Sequence, residues 1–355
     1  MINRQTVSLS NQTGQCSCLP SVVSLYCSLS PSQSALLESQ IMRASCTNSS
    51  NGTTGRSMPM TVSDLINQPD QLPLRADDEK RFAIFQDNLV RAQNYQLKDQ
   101  GTARYGVTRF SDLTPEEFAA NYLNPSINNQ AERVRPTGLK AAPERIDWRE
   151  KGAVAPVEDQ GWCGSCWAFS VAGNVEGQWF LKTGQLVSLS KQQLVDCDVV
   201  DYGCDGGFPQ ETYGEIIRMG GLEAQKDYPY IAMEQTCRLD KSKLLAKING
   251  SIVLEQDEHV QAAWLAERGP MSTSLNADLL QYYQSGISHP SKNECDPDEL
   301  NHAVLTVGYD TEGGVPYWTI KNSWGADWGE NGYFRLYRGD GTCGIEKDVS
   351  SATIR

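Results

Sequence analysis

The chain has 355 residues, 39% of them hydrophobic and 21% charged, which is enough for two to three ordinary soluble domains. Its net charge of −13 lies in the C-terminal part, because residues 143–355 carry 18 basic and 32 acidic side chains (−14) while residues 1–142 carry 13 and 12 (+1). This acidity argues against nucleic acid as a partner, and it suits either work at acid pH or solubility alone. No run of about 18 apolar residues occurs, so no membrane span is expected.

Residues 1–73 are rich in Ser, Thr, Asn and Gln and carry no clear periodicity, which predicts a disordered extension or a degenerate signal or pro segment. Glycan acceptor patterns begin at Asn11, Asn48 and Asn51, although in such a composition they are as easily chance. The stretch 19–26 is too short and serine-rich for a good signal peptide. The cysteines of this segment show no metal-site spacing: Cys16, Cys18, Cys27 and Cys46.

An amphipathic helix is predicted from about residue 77 onward, because four apolar side chains recur on one face: Phe82, Phe85, Leu89 and Ala92. A second helix is predicted after Thr114, which is placed as N-cap, with Pro115 at the first helical position and Glu117 completing a capping box. Residues 122–142 have the composition of a linker and offer a sensible place for cleavage.

The stretch 160–170, Gln-Gly-Trp-Cys-Gly-Ser-Cys-Trp-Ala-Phe-Ser, places Cys166 at the start of a helix predicted over 165–182. Gly184 sits where such a helix would stop. Apolar residues at spacings of three and four indicate the helix: Ala168, Val171, Ala172, Val175 and Trp179. The backbone N–H groups and the dipole at a helix start favour a thiolate over a thiol, so Cys166 is a candidate nucleophile if a histidine stands nearby.

In the remainder of the chain, the predicted secondary structure changes from helices to strands near residue 251. Before that point, Ser190 and Gln193 form a potential capping box for a short helix. After it, the chain carries short β-rich runs over 303–309, 316–322 and 332–338. A helix-rich part followed by a strand-rich part indicates α+β architecture.

The chain has three histidines, so three residues are candidates for the imidazole beside Cys166. His302 stands at the entry to a predicted buried strand, whereas His259 lies among charges and His289 precedes a proline in a loop. Asn322 ends a further predicted strand and is followed by Trp324. A cysteine, then a histidine, then an asparagine is the order of a thiol protease site.

Four motifs occur in a specific order: Cys163-Gly-Ser-Cys-Trp167, Gly203-Cys-Asp-Gly-Gly207, Asn301-His-Ala303 and Lys321-Asn-Ser-Trp-Gly325. Through them the chain from residue 143 onward resembles the papain family of cysteine proteases, and most of all its cathepsin F-like zymogens. The resemblance implies an α+β fold of two lobes with a cleft between them. It places a pro-region at 74–141 and a peptidase domain at 142–355, with a helical lobe over about 142–250 and a β-barrel-like lobe over about 251–355. Residues 1–73 stay unassigned.

The upstream part is similar to the pro-region of that family. Residues 106–112 match its second motif, and the first helix carries seven positions of its first motif, with Asp77 in place of the usual Glu: Asp77, Arg81, Ile84, Phe85, Asn88, Ala92 and Gln96. The family has an aromatic-bearing helix further upstream, but Tyr26 is the one aromatic residue before Phe82. We therefore expect an incomplete pro-domain core and a weaker inhibitor.

The resemblance also implies the catalytic roles. Cys166 is the nucleophile, and His302 pairs with it as an imidazolium that later protonates the leaving nitrogen. Asn322 orients the imidazole, and Trp324 covers their hydrogen bond from water. Gln160 and the backbone N–H of Cys166 supply the oxyanion donors. The alternatives to these catalytic roles are that Cys166 is half of a disulfide and that His302 and Trp324 are ordinary core residues.

Substrate-binding positions follow from the same resemblance. Gly206 and Gly207 would let a peptide backbone lie close as an extended strand, and Asn301 and Trp324 are counted with them. The main specificity pocket has Asp348 at its base, which is either an acceptor for Arg or Lys or a solvated surface aspartate. The other lining residues favour an apolar side chain: Phe208, Pro209, Ser274 and Leu300.

Eleven cysteines indicate an oxidising compartment. Seven lie in residues 143–355, so six can pair and one remains, and sequence alone allows 15 pairings of six. The resemblance implies three pairs that leave Cys166 free: Cys163–Cys204, Cys197–Cys237 and Cys295–Cys343. Asn249 begins a further glycan acceptor pattern, in a predicted surface turn between the lobes.

The predicted activity is peptide-bond hydrolysis by a cysteine-type endopeptidase, since the chain lacks the paired-histidine insertion of the family's exopeptidase branch. We expect a monomeric zymogen activated at acid pH, in a lysosome or after secretion, with no cofactor and no metal. Its expected partners are protein and peptide substrates, its own pro-region and cystatin-type inhibitors. The rival classes are a thiol–disulfide oxidoreductase that uses Cys163 and Cys166, and a protease-like binding protein without activity.

Overall fold

The computed structural model describes residues 76–124 and 131–354, so the expectations for residues 1–73 lie outside the described residues. The chain divides into two compact units, residues 1–83 and 84–355. The described α-helices are α1 Ala76–Lys98, α2 Pro115–Tyr122, α3 Cys166–Thr183, α4 Lys191–Cys197, α5 Pro209–Met219 and α6 Glu258–Arg268. The strands are β1 Arg104–Tyr105, β2 Ile146–Asp147, β3 Gly250–Val253, β4 Met271–Leu275, β5 Tyr283–Ser285, β6 Ile287–Ser288, β7 His302–Glu312, β8 Val315–Lys321, β9 Tyr333–Tyr337 and β10 Asp348–Thr353.

The first two helices form where the sequence predicts them. In α1, Ala92 is buried while Phe85 and Leu89 are partly covered. Helix α2 has the full capping box: Thr114 Oγ1 accepts the N–H of Glu117 at 3.1 Å, and Glu117 Oε2 accepts the N–H of Thr114 at 3.0 Å. Two otherwise unpaired N–H groups are satisfied in this way, so α2 begins at a defined residue.

Helix α3 runs within one residue of its predicted bounds and ends at Gly184, whose φ of 73° is the left-handed conformation expected of a C-cap. The predicted capping box of α4 is wrong in one half. Ser190 Oγ does accept the N–H of Gln193 at 2.9 Å. The side chain of Gln193 instead accepts from Glu223 N and donates to the carbonyl of Gly221, because that chain segment packs against α4 and offers it backbone partners.

The main sheet has the strand order β3-β10-β4-β7-β8-β9-β6, with β2 pairing with the far end of β7. Strands β7, β8 and β9 fall on the three predicted β-rich runs. Because β7 and β8 are antiparallel, the first residue of β7, His302, and the residue after β8, Asn322, lie at the same end of the sheet.

Two hydrophobic cores confirm the α+β class. One core is built by helices α3, α4 and α5 around residues such as Trp167, Val171 and Tyr213. The other is built by the sheet and by aromatic residues of the segment before residue 125. Helix α3 packs against the middle of the sheet, where Ser170 Oγ donates to the carbonyl of Val304 in β7 at 2.6 Å. Within the part of the chain that the structure describes, no helix is long and apolar enough to cross a bilayer.

Candidate active site

Cys166 occupies the first position of α3 and is completely buried. The loop before it is fixed by the disulfide Cys163–Cys204 and by a hydrogen bond from Gly164 N to the carbonyl of Cys204 at 2.8 Å. A Cβ at Gly164 would lie 2.6 Å from that carbonyl oxygen, so the close approach requires glycine. Local disulfide and turn chemistry therefore present this sulfur at the start of the helix.

His302 and Asn322 are joined at the end of the sheet. The ring Nε2 of His302 lies 2.8 Å from Asn322 Oδ1, which also accepts the N–H of Ser323. Because an amide oxygen can only accept, Nε2 carries the proton in this contact. The other ring nitrogen, Nδ1, is buried and makes no hydrogen bond to any residue that the structure describes. In the neutral ring it is an acceptor, which is the requirement for a base.

Trp324 lies over the ring of His302, with centroids 4.7 Å apart and an interplanar angle of 31°. Its side chain is completely buried. The indole thus covers the ring of His302 on one side. In a low-dielectric surrounding the hydrogen bond between His302 and Asn322 is stronger than it would be in water.

The sulfur of Cys166 lies against the start of β7. The backbone N–H of Ala303, the residue after His302, is directed at the sulfur of Cys166, as are the N–H groups of Trp167 and of Cys166 itself. Burial nevertheless raises the pKa of the Cys166 thiol to about 12, and burial lowers the pKa of His302 to about 4. Desolvation disfavours the charged form of each group, so the covered site favours the neutral thiol and the neutral imidazole.

Both the oxygen and the nitrogen of the Gln160 side-chain amide are hydrogen-bonded. Its Oε1 accepts the hydroxyl of Ser323 at 2.6 Å, and its Nε2 donates to the carbonyl of Cys163 at 3.0 Å. The second Nε2 hydrogen goes to the carbonyl of Tyr122, 3.2 Å away. The amide hydrogen assigned to an oxyanion is therefore engaged here by a carbonyl of the upstream segment.

Asn124 continues that segment through the cleft, which corrects the interpretation of residues 122–124 as linker. Its side chain donates from Nδ2 to the carbonyl of Gly207 at 2.5 Å and accepts the N–H of Gly207 at 3.0 Å. Its own backbone N–H donates to the carbonyl of Asn301 at 2.7 Å. A primary amide has the same donor and acceptor pair as a backbone peptide, so this side chain fills the place of an extended strand against Gly207.

The wall that carries Gly207 depends on glycine. Gly206 has a φ of 121°, and a Cβ at Gly207 would lie 2.6 Å from the indole of Trp167. Phe208 N donates to Asp201 Oδ1 at 2.7 Å, and Pro209 then opens helix α5. The expected positions Gly206 to Pro209 thus form one continuous wall.

Asp348 is not a solvated surface aspartate, so that alternative is wrong. Its side chain is 2% exposed, and it accepts the hydroxyl of Ser274 at 2.6 Å across the paired strands β10 and β4. Leu300 is also buried, and Asn301 follows it with its backbone N–H bonded to the carbonyl of Leu275. Ser274, Leu300 and Asp348 therefore belong to the β-rich lobe.

Three disulfides join the cysteines that the resemblance pairs: Cys163–Cys204, Cys197–Cys237 and Cys295–Cys343. Among the described residues, Cys166 is the one cysteine outside a disulfide. Cys163 and Cys166 are thus not bonded to each other, which speaks against the oxidoreductase alternative. Asn249 is exposed and directly precedes β3.

A buried charge network supports the site and has no local sequence signal. Lys191 Nζ lies 2.9 Å from Glu176 Oε1 and 2.8 Å from Glu158 Oε2, with 3% of the lysine side chain exposed. Burial lowers the pKa of the nearby Lys321, which precedes Asn322 and faces the same charges. Glu158, Lys191 and Lys321 line a small cavity that Asn322 and Ser323 also border. The network connects α3, α4, β8 and the loop that carries Gln160.

Sequence reasoning also missed Ser323, Asn124 and Arg109. Ser323 follows Asn322 within a quoted motif, so its position was a usable signal. Arg109 also lies within a matched motif, at 106–112, but its partner Asp159 is 50 residues away and no pattern pointed to it. Asn124 acts over 83 residues with no periodic pattern, and no signal in the sequence could have found it.

Comparison with known proteins relates residues 75–118 and residues 142–353 to the same group of proteins. A model of the papain family cysteine proteases matches residues 142–353, and a model of the cathepsin propeptide inhibitor domain matches residues 75–118. Mouse cathepsin F is 50% identical over 283 residues, covering 79% of this chain and 61% of the mouse protein. Drosophila melanogaster cathepsin F is 40% identical over 295 residues, covering 79% of this chain and 47% of the fly protein.

The chain therefore spans less than two thirds of the length of these two relatives. Among solved structures, digestive procathepsin L 3 of the Tenebrio molitor larval midgut is similar with a TM-score of 0.71 and 33% identity. The similarity covers 81% of this chain and 96% of that one. The recombinant stem bromelain precursor gives a TM-score of 0.71 at 32% identity, over 82% and 96%. These likenesses confirm the expected fold.

Proposed function

Because the chain belongs to the papain family of cysteine proteases, we propose that it is a cysteine-type endopeptidase made as a zymogen. The observation that carries this proposal is the arrangement around Cys166. An unpaired thiol begins a helix, the residue after His302 contacts its sulfur, and His302 is itself held by Asn322. A nucleophile, a base and an orienting group are the three parts that amide hydrolysis needs.

In the first half-reaction His302 Nδ1 takes the thiol proton and the sulfur of Cys166 attacks the substrate carbonyl carbon. The oxyanion is held by Gln160 Nε2 and by the backbone N–H of Cys166. The protonated Nδ1 then gives its proton to the leaving nitrogen as the C–N bond breaks. The amine product departs and leaves a thioester on Cys166.

In the second half-reaction a water molecule gives a proton to His302 Nδ1 and attacks the thioester carbonyl. The same two donors hold the new oxyanion. When the C–S bond breaks, the acid product leaves and the proton returns to the sulfur. Asn322 keeps the ring plane in place throughout, because its oxygen holds Nε2–H in both protonation states of the ring.

The pocket beside the wall selects the residue two positions before the cut. Phe208 and Leu300 favour an apolar side chain, and the buried carboxyl group of Asp348 adds an acceptor for Arg or Lys at the base. Substrates with Leu and with Arg at this position should both be cleaved, and Asp348→Ala should remove the turnover of the Arg substrate. An unchanged Arg-to-Leu ratio in that variant would contradict the assignment of Asp348.

The pro-region, proposed as residues 74–141, keeps the enzyme latent by filling the cleft at Gln160, Gly207 and Asn301. We assign the mature domain to 142–355, with activation at acid pH and work in a lysosome or after secretion. Cystatin-type inhibitors, a monomeric state and a glycan at the exposed Asn249 belong to the same proposal.

The direct test is incubation of the purified chain at acid pH with a quenched fluorescent peptide. We expect a mass loss that places the new N-terminus near Ala142, together with the onset of hydrolysis. Cys166→Ser should show neither unless wild-type enzyme is added, and then it should be processed without gaining activity. Hydrolysis by processed Cys166→Ser, or insulin reduction in place of hydrolysis, would overturn the proposal.

A further inference from the structure

The guanidinium group of Arg109, in the pro-region, contacts three acceptor oxygens at the edge of the cleft. Arg109 Nη1 lies 2.7 Å from Asp159 Oδ2, 3.0 Å from the carbonyl of Trp324 and 3.4 Å from Asp327 Oδ1. Two carboxylates and one carbonyl thus converge on one cation. Charge-assisted bonds of this kind are stronger and more directional than neutral ones.

The acceptors are held by the mature domain and not by Arg109. Asp159 Oδ1 accepts the N–H of Gly161 at 2.9 Å, which fixes the carboxylate plane. The backbone of Asp159 pairs with that of Trp324 in an antiparallel bridge, and Gly325 N donates to the carbonyl of Glu158. Asp159 and the Trp324 carbonyl therefore keep their positions when the pro-region is removed.

The position of this set relative to the catalytic groups follows from the path of the pro-region. Asn124 touches Gly207 and Asn301, on the side that takes the acyl part of a substrate. Tyr122 touches Gln160 at the oxyanion position. Further upstream, Phe110 and Phe118 pack edge-on against Trp324 with centroids 5.4 and 5.2 Å away. The end of the cleft at Trp324 thus lies opposite the acyl side and takes the leaving-group part.

We propose that Asp159, Asp327 and the carbonyl of Trp324 form a subsite that binds an arginine side chain of the substrate on the C-terminal side of the cut. This inference rests on the proposed peptidase function, since the subsite opens only when the segment with Arg109 is removed. Even with Arg109 in place, the side chains of Asp159 and Asp327 are 36% and 60% exposed. A substrate guanidinium can therefore reach both carboxylates from solvent.

The test uses mature enzyme from the activated zymogen and quenched peptides that share Leu at the second position before the cut. Peptides carrying Arg or Gln at each of the first three positions after the cut are compared by kcat/KM. Because ion pairs that are partly exposed to solvent are modest, we expect an Arg preference of about 3- to 10-fold at one position. The preference should shrink at high salt.

The double variant Asp159→Asn/Asp327→Asn should turn over the Arg and Gln peptides equally. Asp205→Asn is the matched control: it removes the same charge from an exposed loop on the acyl side, and it should keep the full Arg preference. A dipeptidyl-coumarin substrate, which has no residue after the cut, should be hydrolysed alike by all three enzymes. Each preparation is normalised by titration with an epoxide thiol-protease inhibitor.

The outcomes separate this inference from the proposed function. If the coumarin substrate is not hydrolysed and Cys166 is not titrated, the peptidase proposal fails. If the coumarin substrate is hydrolysed but Arg and Gln peptides are equal in the wild type, only the subsite is overturned, and the acceptors serve Arg109 alone. An Arg preference that persists in the double variant also overturns it.

Discussion

Burial favours the neutral forms of Cys166 and His302, because it raises the pKa of the thiol and lowers the pKa of the imidazole. The ordinary ion pair of a thiol protease would be costly in this covered site. Under the proposed function, removal of residues 122–124 would admit water to the sulfur and the ring and make the thiolate and imidazolium forms accessible. At the residue scale, the proposed activation is therefore a change of solvation around these two side chains.

Asn322→Ala tests the orienting hydrogen bond. That bond raises the pKa of His302 against the opposing effect of burial, so its loss should lower the pKa and move the basic limb of the kcat/KM profile to lower pH. We expect kcat to fall by about 10- to 100-fold with KM little changed, since Asn322 touches no substrate. Asn322→Asp keeps an acceptor oxygen and should hold the basic limb at high pH. A basic limb unmoved by Asn322→Ala would contradict this role.

At the scale of elements, the acyl-side wall is supported by a pair of carboxyl groups. Asp201 accepts from Phe208 N and from the hydroxyl of Thr212, while Asp198 accepts the N–H groups of Val200 and Asp201. Burial and the neighbouring charge of Asp198 raise the pKa of Asp201. Ionising both carboxyl groups in the folded wall is therefore unfavourable, because the two buried charges repel each other.

Asp201→Asn should flatten the dependence of stability on pH. The pKa of Asp201 is raised above its ordinary value of 3.8, so the folded state binds a proton that the unfolded chain releases. Stability from this group is therefore present at low pH and is lost as pH rises from about 4 toward the raised pKa. In thermal melting of the mature enzyme, the wild type should melt lower at pH 8 than at pH 5. The Asp201→Asn side chain cannot ionise, so the variant should show a smaller difference in melting temperature between pH 5 and pH 8. An equal difference in both proteins would refute the raised pKa of Asp201.

The buried charge network makes a prediction on stability. Lys191→Met leaves the buried Glu176 without its cation, and breaking a buried pair in this way costs about 3–5 kcal/mol. The urea midpoint of the mature enzyme should fall accordingly. Lys226→Met, at an exposed position, is the control and should change stability by less than about 0.5 kcal/mol. A small effect at Lys191 would mean that water solvates the network in solution.

At the scale of the whole molecule, buried residues between Ala92 and Leu123 share one hydrophobic core with residues of the sheet. Phe110, Phe118 and Tyr122 pack on Trp324, whose indole lies over the ring of His302. The scarcity of aromatic residues further upstream predicted a weak inhibitor. That expectation stays a prediction, and the described aromatic contacts of Phe110, Phe118 and Tyr122 include those with Trp324.

Asn124→Ala tests the contact of the pro-region with the wall. It removes two hydrogen bonds to Gly207 while leaving the backbone bond to Asn301. We expect the zymogen to activate about tenfold faster at a fixed acid pH, as followed by the onset of peptide hydrolysis. Asn94→Ala, an exposed position of α1, should activate at the wild-type rate. Equal rates for both variants would show that the side chain of Asn124 does not contribute to latency.

The sequence predicted what local chemistry controls. Helix α3, the cap at Thr114 and the strands of the main sheet follow from spacing, turn residues and β-branched runs. Sequence reasoning failed where a side chain bonds to a residue far along the chain. Gln193 bonds to the backbone of Glu223 and Gly221, and Arg109 bonds to Asp159. The burial of Asp348 likewise depends on its strand partner β4, which no local pattern reveals.

The most direct measurement is labelling by an epoxide thiol-protease inhibitor at acid pH, followed by peptide mapping. The account predicts that the label is found on Cys166 alone, that it appears only after the pro-region is removed, and that one label per chain abolishes hydrolysis. A label on any other residue, or hydrolysis that survives complete labelling of Cys166, would contradict it.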